Sequence, residues 1–184
     1  MTGYQLPMTA QIGGKTYHLR PDFRNILEVF SWLERQELPP FLRWRIGVEL
    51  FYQESVKKED LPEAMAYLAW FLRAGEEEGP AGPRLLSWKQ DARHIMAGVN
   101  KAAGQELRQM EFVHWWTFLS WFHAMGEGSF LTLVSIRDKL AKGKKLEAWE
   151  QAFYRQNKEQ VVLKREDEPL SREEKEALLK RLDA

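Results

Sequence analysis

Two short runs flanking a Gly-Gly pair open this chain, and after them apolar side chains recur at intervals of three and four. Residues 8–12 and 15–19 sit either side of Gly13-Gly14, a pair that accepts the positive φ angles of a tight turn, so a small two-stranded hairpin is expected. Pro21 ends the second strand and Asp22 is placed to cap a helix carrying Phe23, Ile26, Phe30 and Leu33 over about 22–37. Pro39-Pro40 stops it, and Phe41, Trp44, Val48 and Phe51 mark a second helix. Asp60-Leu61-Pro62-Glu63 reads as a capping box opening a third, which runs to about Ala74 with Gly75 as its C-cap.

The Gly/Glu/Pro run over 75–83 predicts a solvated connector, not a domain boundary. Trp88, Ala92, Ile95 and Val99 mark a fourth helix ended by Gly104, and a fifth is expected over 106–125. Ser129 is placed to cap a sixth ending near Gly143, and Leu146, Trp149 and Phe153 define a seventh. The pattern therefore predicts an all-α bundle with a small N-terminal hairpin. Its organisation is 1–21 hairpin, 22–163 helical domain and 164–184 charged tail, the tail bearing a marginal helix with Leu178, Leu179 and Leu182 behind a capping box at Ser171.

Composition narrows the chemistry. Lys and Arg number 27 and so do Asp and Glu, which removes any bulk field that would draw the whole chain to nucleic acid or an anionic membrane. The absence of cysteine excludes disulfides, thiolate nucleophiles and thiolate metal sites, and fits a reducing cytoplasm. No run of ~18 uncharged apolar residues is present to span a bilayer, and no secretory leader is visible. Eight Trp and ten Phe are a heavy aromatic load, which carries burial in cores and in protein interfaces alike.

Six of these eighteen rings lie over 112–125, where large apolar side chains point nearly all round the expected fifth helix, the mark of a helix that must be surrounded. Val113, Thr117, Ser120 and Ala124 form a stripe of small residues where another helix could approach. Asp91-x-x-His94 and Glu111-x-x-His114, with Glu28 and Glu49, have the spacing of a di-iron bundle. At ~100° per residue, however, His94 falls on the polar side of its helix, so no metal or cofactor is expected. His114 is expected in the core with both ring nitrogens hydrogen-bonded, and His18 and His123 have no nucleophile pattern beside them. From 137 to 158 seven basic residues stand against three acids, mixed with Trp149 and Tyr154. The expectation is a solvated outer face with Trp149 and Phe153 turned into the core, and nucleic acid is not an expected partner.

The run Gln90-Asp91-Ala92-Arg93-His94-Ile95-Met96-Ala97-Gly98-Val99, then Gly104, then Met110-Glu111-Phe112-Val113-His114-Trp115-Trp116-Thr117-Phe118 resembles the phage gene-product-fifteen family, over about 8–163. Pro21-Asp22-Phe23-Arg24, Glu49-Leu50-Phe51-Tyr52, Ser135-Ile136-Arg137 and Phe153-Tyr154-Arg155 support it, while Thr117 stands where a Lys is usual. The resemblance implies a gene of long-tailed phages or prophages of Gram-positive bacteria, lying near the tape-measure gene. It implies a non-enzymatic tail assembly chaperone of the host cytoplasm, with the tape-measure protein as client and self-association plausible on physical grounds. Candidate client-facing residues are Trp44, Trp70, Trp121, Leu178 and Leu182. The alternatives are a tail or head-completion subunit retained in the virion, or nucleic-acid binding through 137–158.

Overall fold

Gly13 and Gly14 both sit at positive φ, 55° and 74°, and turn β1 (Thr9–Ile12) antiparallel onto β2 (Lys15–His18) with Ile12 opposite Lys15. Glycine is required at the first of these on a second count, because a Cβ there would lie 2.2 Å from Asp60 Oδ1. The freed space lets the Gly13 N–H donate to Glu63 Oε2 at 2.8 Å. Glu63 therefore holds the hairpin turn, and the expected capping box is corrected: Asp60 makes no side-chain cap hydrogen bond.

The computed structural model describes residues 5–164, which form two compact units, 5–78 with 112–117 and 79–111 with 118–164. The chain passes from the first to the second between 78 and 79, inside the Gly/Pro-rich loop. Among the described residues there are eight α-helices and the one two-stranded sheet, the all-α fold with a small hairpin that the pattern predicts. The charged tail with Leu178 and Leu182 lies outside the described residues.

In the first unit α1 (Phe23–Leu33) opens on Asp22, whose carboxylate accepts the Arg24 N–H at 2.9 Å. α2 (Pro40–Phe51) and α3 (Leu61–Leu72) follow, and Gly47 marks their close approach, since a Cβ on it would stand 3.2 Å from Leu68 and 3.4 Å from Val29. Ile26, Val29, Val48, Phe51, Leu68 and Phe71 are fully buried there. At the C-terminal end of α2 the Arg20 guanidinium donates to the carbonyls of Glu49, Leu50, Tyr52 and Gln53, the groups a helix leaves without partners at that end.

The second unit holds α4 (Ala92–Ala103), ended by Gly104 at φ 70°, then α6 (Ser129–Ala141), α7 (Ala148–Gln156) and α8 (Lys158–Val161). Between α4 and α6 runs α5 (Trp115–His123), of which the residues from Phe118 onward belong to this unit. Leu133, Ile136, Leu146 and Val161 pack together with Phe153 and Tyr154 beside them. Arg137 is not part of a solvated basic face, as its place in the sequence suggests, but is 5% exposed and bidentate on Asp91, 1% exposed, at 2.7 and 2.8 Å. Its remaining donors reach the carbonyls of Leu85, Gln160 and Val161, tying the segment before α4 to α8. Gln90 repeats the link through the carbonyls of Glu159, Gln160 and Val162.

Four-residue α8 has no apolar period long enough to read, and its position rests on buried Val161 and on these polar ties. Removing one partner of a buried ion pair leaves an uncompensated charge, which costs about 3–5 kcal/mol. Arg137→Met is therefore expected to lower stability by about that amount, and Arg137→Met with Asp91→Leu to recover only the part due to the unpaired carboxylate, since the Leu85, Gln160 and Val161 carbonyls and the Ser87 N–H stay without these partners. Urea unfolding of the three chains checks this.

Candidate functional site

The expected long aromatic helix is shorter than its apolar run. After a 3₁₀ turn at Leu107–Gln109 the chain is extended through 111–114, and the helix begins only at Trp115. The reason is a competing set of partners in the first unit. Asp22 and His114 form an antiparallel bridge in which Phe23 N–H donates to Val113 O at 2.9 Å and Trp115 N–H to Pro21 O at 2.7 Å. Asp22 Oδ2 also accepts the Val113 N–H at 2.9 Å, so the carboxylate that caps α1 also binds the strand-like segment before α5. Extended backbone here satisfies groups that a helix would leave buried without partners.

His114 stands at the head of α5. Its Nδ1 lies 3.1 Å from the Trp116 backbone N–H, which can only donate, so Nδ1 is the accepting nitrogen. Nε2 then carries the proton and donates to the Pro7 carbonyl at 3.1 Å. The imidazole is thus a neutral helix cap that also fastens the segment leading into β1. Burial pushes its pKa below the ordinary 6.5, outweighing the opposing effect of the Pro7 carbonyl.

The two tryptophans complete a clamp. Trp115 Nε1–H donates to Leu72 O at 3.0 Å and Trp116 Nε1–H to Phe71 O at 2.9 Å, so both indoles cap the C-terminal carbonyls of α3. Gly75 N–H closes the same helix end on Trp70 O at 3.0 Å. Trp116 packs against Trp70 and Phe71 with centroids 5.4 and 5.7 Å apart, and Trp115 against Phe30 at 5.6 Å. His114 has both ring nitrogens hydrogen-bonded, as expected of it.

The other candidate residues are dispersed. Asp91 is occupied by Arg137, and His94 Nδ1 meets Ser129 Oγ at 2.8 Å beside a cleft of about 220 Å³ lined also by Lys101, Met125 and Phe130. Ser129 is the first residue of α6 and makes no cap of its own, which corrects its expected role. Among the described residues no acid orients His94, so the pair ties α4 to α6 and lacks the third member of a nucleophile relay. Among the described residues no group of three His, Asp or Glu side chains is placed to hold a metal ion. His18 pairs with Glu54 at 2.6 Å, and His123 is exposed at the end of α5. The small-residue stripe is also corrected: Val113 precedes the helix, and Ser120 and Ala124 face solvent.

Of the client-facing candidates, Trp44 is half-buried on α2, Trp70 is half-buried with its ring against Tyr67 and Trp116, and Trp121 is half-buried on α5. Leu178 and Leu182 lie outside the described residues. Sequence periodicity passed over the side chains that are exposed in the first unit: Phe41 at 62%, with Phe112, Leu6 and Met8 close to half exposed. Phe41 shares the apolar stripe of Val48 but stands in the first turn of α2, before the helix enters the core. Met8 and Leu6 flank Pro7, whose carbonyl meets His114, and the Phe112 ring lies 6.5 Å from the His114 ring.

The clamp yields a pH dependence with a definite sign. The unfolded chain takes up a proton at His114 near pH 6.5 while the folded chain resists it, so this contribution to stability is present above that pH and is lost as pH falls through the lowered folded value. His114→Gln keeps a donor without a titrating ring, and its urea midpoint should fall less than that of the unaltered chain between about pH 7.5 and 5. Trp116→Phe should cost about 1 kcal/mol and Trp115→Phe, with its donor fully buried, roughly 2–3 kcal/mol in the same assay.

The model of the family described as Bacteriophage Gp15 protein matches residues 4–163, and no curated protein and no solved structure matches the chain. The match spans the hairpin, both units and the His114-Trp115-Trp116 clamp. With a family match over that length, this chain belongs to the bacteriophage Gp15 protein family.

Proposed function

We propose that this chain is a non-enzymatic tail assembly chaperone of a long-tailed phage, holding the tape-measure protein soluble in the host cytoplasm until tube subunits enclose it. The observation that carries the reading is the set of large apolar side chains that the first unit leaves in water after its own core is filled. Phe41 and Trp44 stand three residues apart on α2 and so share a helical face. Leu6, Met8 and Phe112 form a second exposed group around the His114 clamp. Exposed apolar groups of this kind suit a long helical client with apolar stripes, which aggregates when left uncovered.

Trp70 is held by the clamp, so its loss would disturb α3 before it disturbed a client. Trp44, with Phe41 beside it, is the better anchor, because an aromatic ring that is half in and half out of the core contributes area at little conformational cost. Release by growing tube requires each contact to be weak, and repeated contacts along the client supply retention.

Co-expression of the tape-measure protein with this chain tests the proposal. The client should become more soluble and co-purify, and Phe41→Asp should reduce the co-purified amount about fivefold or more, a loss of about 1 kcal/mol, with the thermal midpoint of this chain unchanged. Purified virions should lack the chain. No gain in client solubility and no co-purification would overturn the reading, and stoichiometric presence in virions would favour a retained structural subunit.

A further inference from the structure

The structure sorts the seven basic residues of 137–158 into two sets. Arg137 is bidentate on buried Asp91, Lys139 holds Glu150 at 2.7 Å, and Lys142 holds Asp138 at 2.7 Å. The three acids of the same stretch are thereby engaged: Asp138 by Lys142, Glu150 by Lys139, and Glu147 by Lys139 at 3.9 Å and by the Trp149 indole N–H at 2.9 Å. Lys144, Lys145, Arg155 and Lys158 remain, all exposed and, among the described residues, without an acidic partner. Arg155 Nε reaches only the Gln151 carbonyl, at 3.3 Å, which leaves its charge uncompensated.

Trp149 lies between Lys145 and Arg155 in the chain. The expectation that it fills the core is overturned: it is 55% exposed, while Leu146 and Val161 form the core and Phe153 and Tyr154 pack on it. The capping box explains the placement. Glu147 and Glu150 bind the first turn of α7 reciprocally, and with Glu150 buried on Lys139 the residue before it turns outward. Its indole N–H is held at the Glu147 carboxylate, so the ring is positioned by one edge and the remainder of its surface meets water.

We propose that the 144–158 segment of the second unit, through Lys144, Lys145, Trp149, Arg155 and Lys158, binds single-stranded nucleic acid. Four uncompensated cations within 15 residues of a chain that is neutral overall form a local attraction for phosphates. An exposed, edge-held indole adds a stacking platform, and an unpaired base has a free face to lay on it whereas a duplex base is already stacked. An acidic protein segment would use the cations and leave the ring idle. These residues belong to the second unit and the exposed apolar groups to the first, so the proposal does not depend on client binding.

The test is fluorescence anisotropy of a labelled oligothymidylate with the full chain, against the duplex of the same length and against poly-glutamate. Binding of the single strand is expected, with log affinity falling against log salt at a slope of roughly −3 for four phosphate contacts. The combined variant Lys144→Glu, Lys145→Glu, Arg155→Glu and Lys158→Glu should lose about a hundredfold or more in affinity, and Trp149→Ala about tenfold, with Trp149→Phe between. Lys58→Glu, on the first unit, should change nothing. Absence of single-strand binding at low salt overturns the proposal. So does equal affinity for poly-glutamate, or a Trp149→Ala chain that binds as tightly as the unaltered one.

Discussion

A neutral imidazole can accept at one nitrogen only while it donates at the other, and the first unit is built around that constraint at His114. Acceptance from the Trp116 N–H starts α5, and donation to Pro7 fastens the segment entering the hairpin. Because the backbone at 113–115 is meanwhile bridged to 21–23, the two residues that follow the imidazole leave in a fixed direction, and their indoles reach the C-terminal carbonyls of α3. One short segment thus supplies an N-cap to one helix and a C-cap to another. Buried polar groups at helix ends otherwise cost about 1–3 kcal/mol each, so the arrangement matters more than its few hydrogen bonds suggest.

The second unit adds charge to its apolar and aromatic packing. The irregular backbone before α4 and the short α8 would otherwise leave carbonyls buried without partners. Arg137 and Gln90 supply the donors, and Asp91 neutralises the guanidinium that does so. That use removes Arg137 from the surface and, with Lys139 and Lys142 also paired, leaves Lys144, Lys145, Arg155 and Lys158 as the exposed remainder. A count of charges along the chain merges two populations with opposite purposes.

The hairpin and the succession of helices were legible because they depend on local signals: Gly13-Gly14, Asp22 before an apolar stripe, and Gly104 after one. The start of α5 was not legible, since nothing near 106–114 discloses that Pro21, Asp22 and Pro7 supply its partners from about a hundred residues away. Glu63 misled for the same reason: its spacing from Asp60 fits a capping box, but the Gly13 N–H captures its carboxylate. Helical period ranks a large ring such as Trp149 as core, and it is blind to the helix end that turns Trp149 and Phe41 into water. The His114-Trp115-Trp116 wording identified the family, and its physical meaning lay in the α3 carbonyls.

The His114-Trp115-Trp116 segment is a clamp on the C-terminal end of α3. Hydrogen exchange of the tryptophan indole protons, followed by NMR, measures this residue by residue. The Trp115 and Trp116 indole protons should be the slow pair, opening only with the fold, while that of exposed Trp149 exchanges within the dead time despite its bond to Glu147. Exchange of Trp115 and Trp116 as fast as that of Trp149, under conditions where the backbone of α3 stays protected, would contradict the clamp.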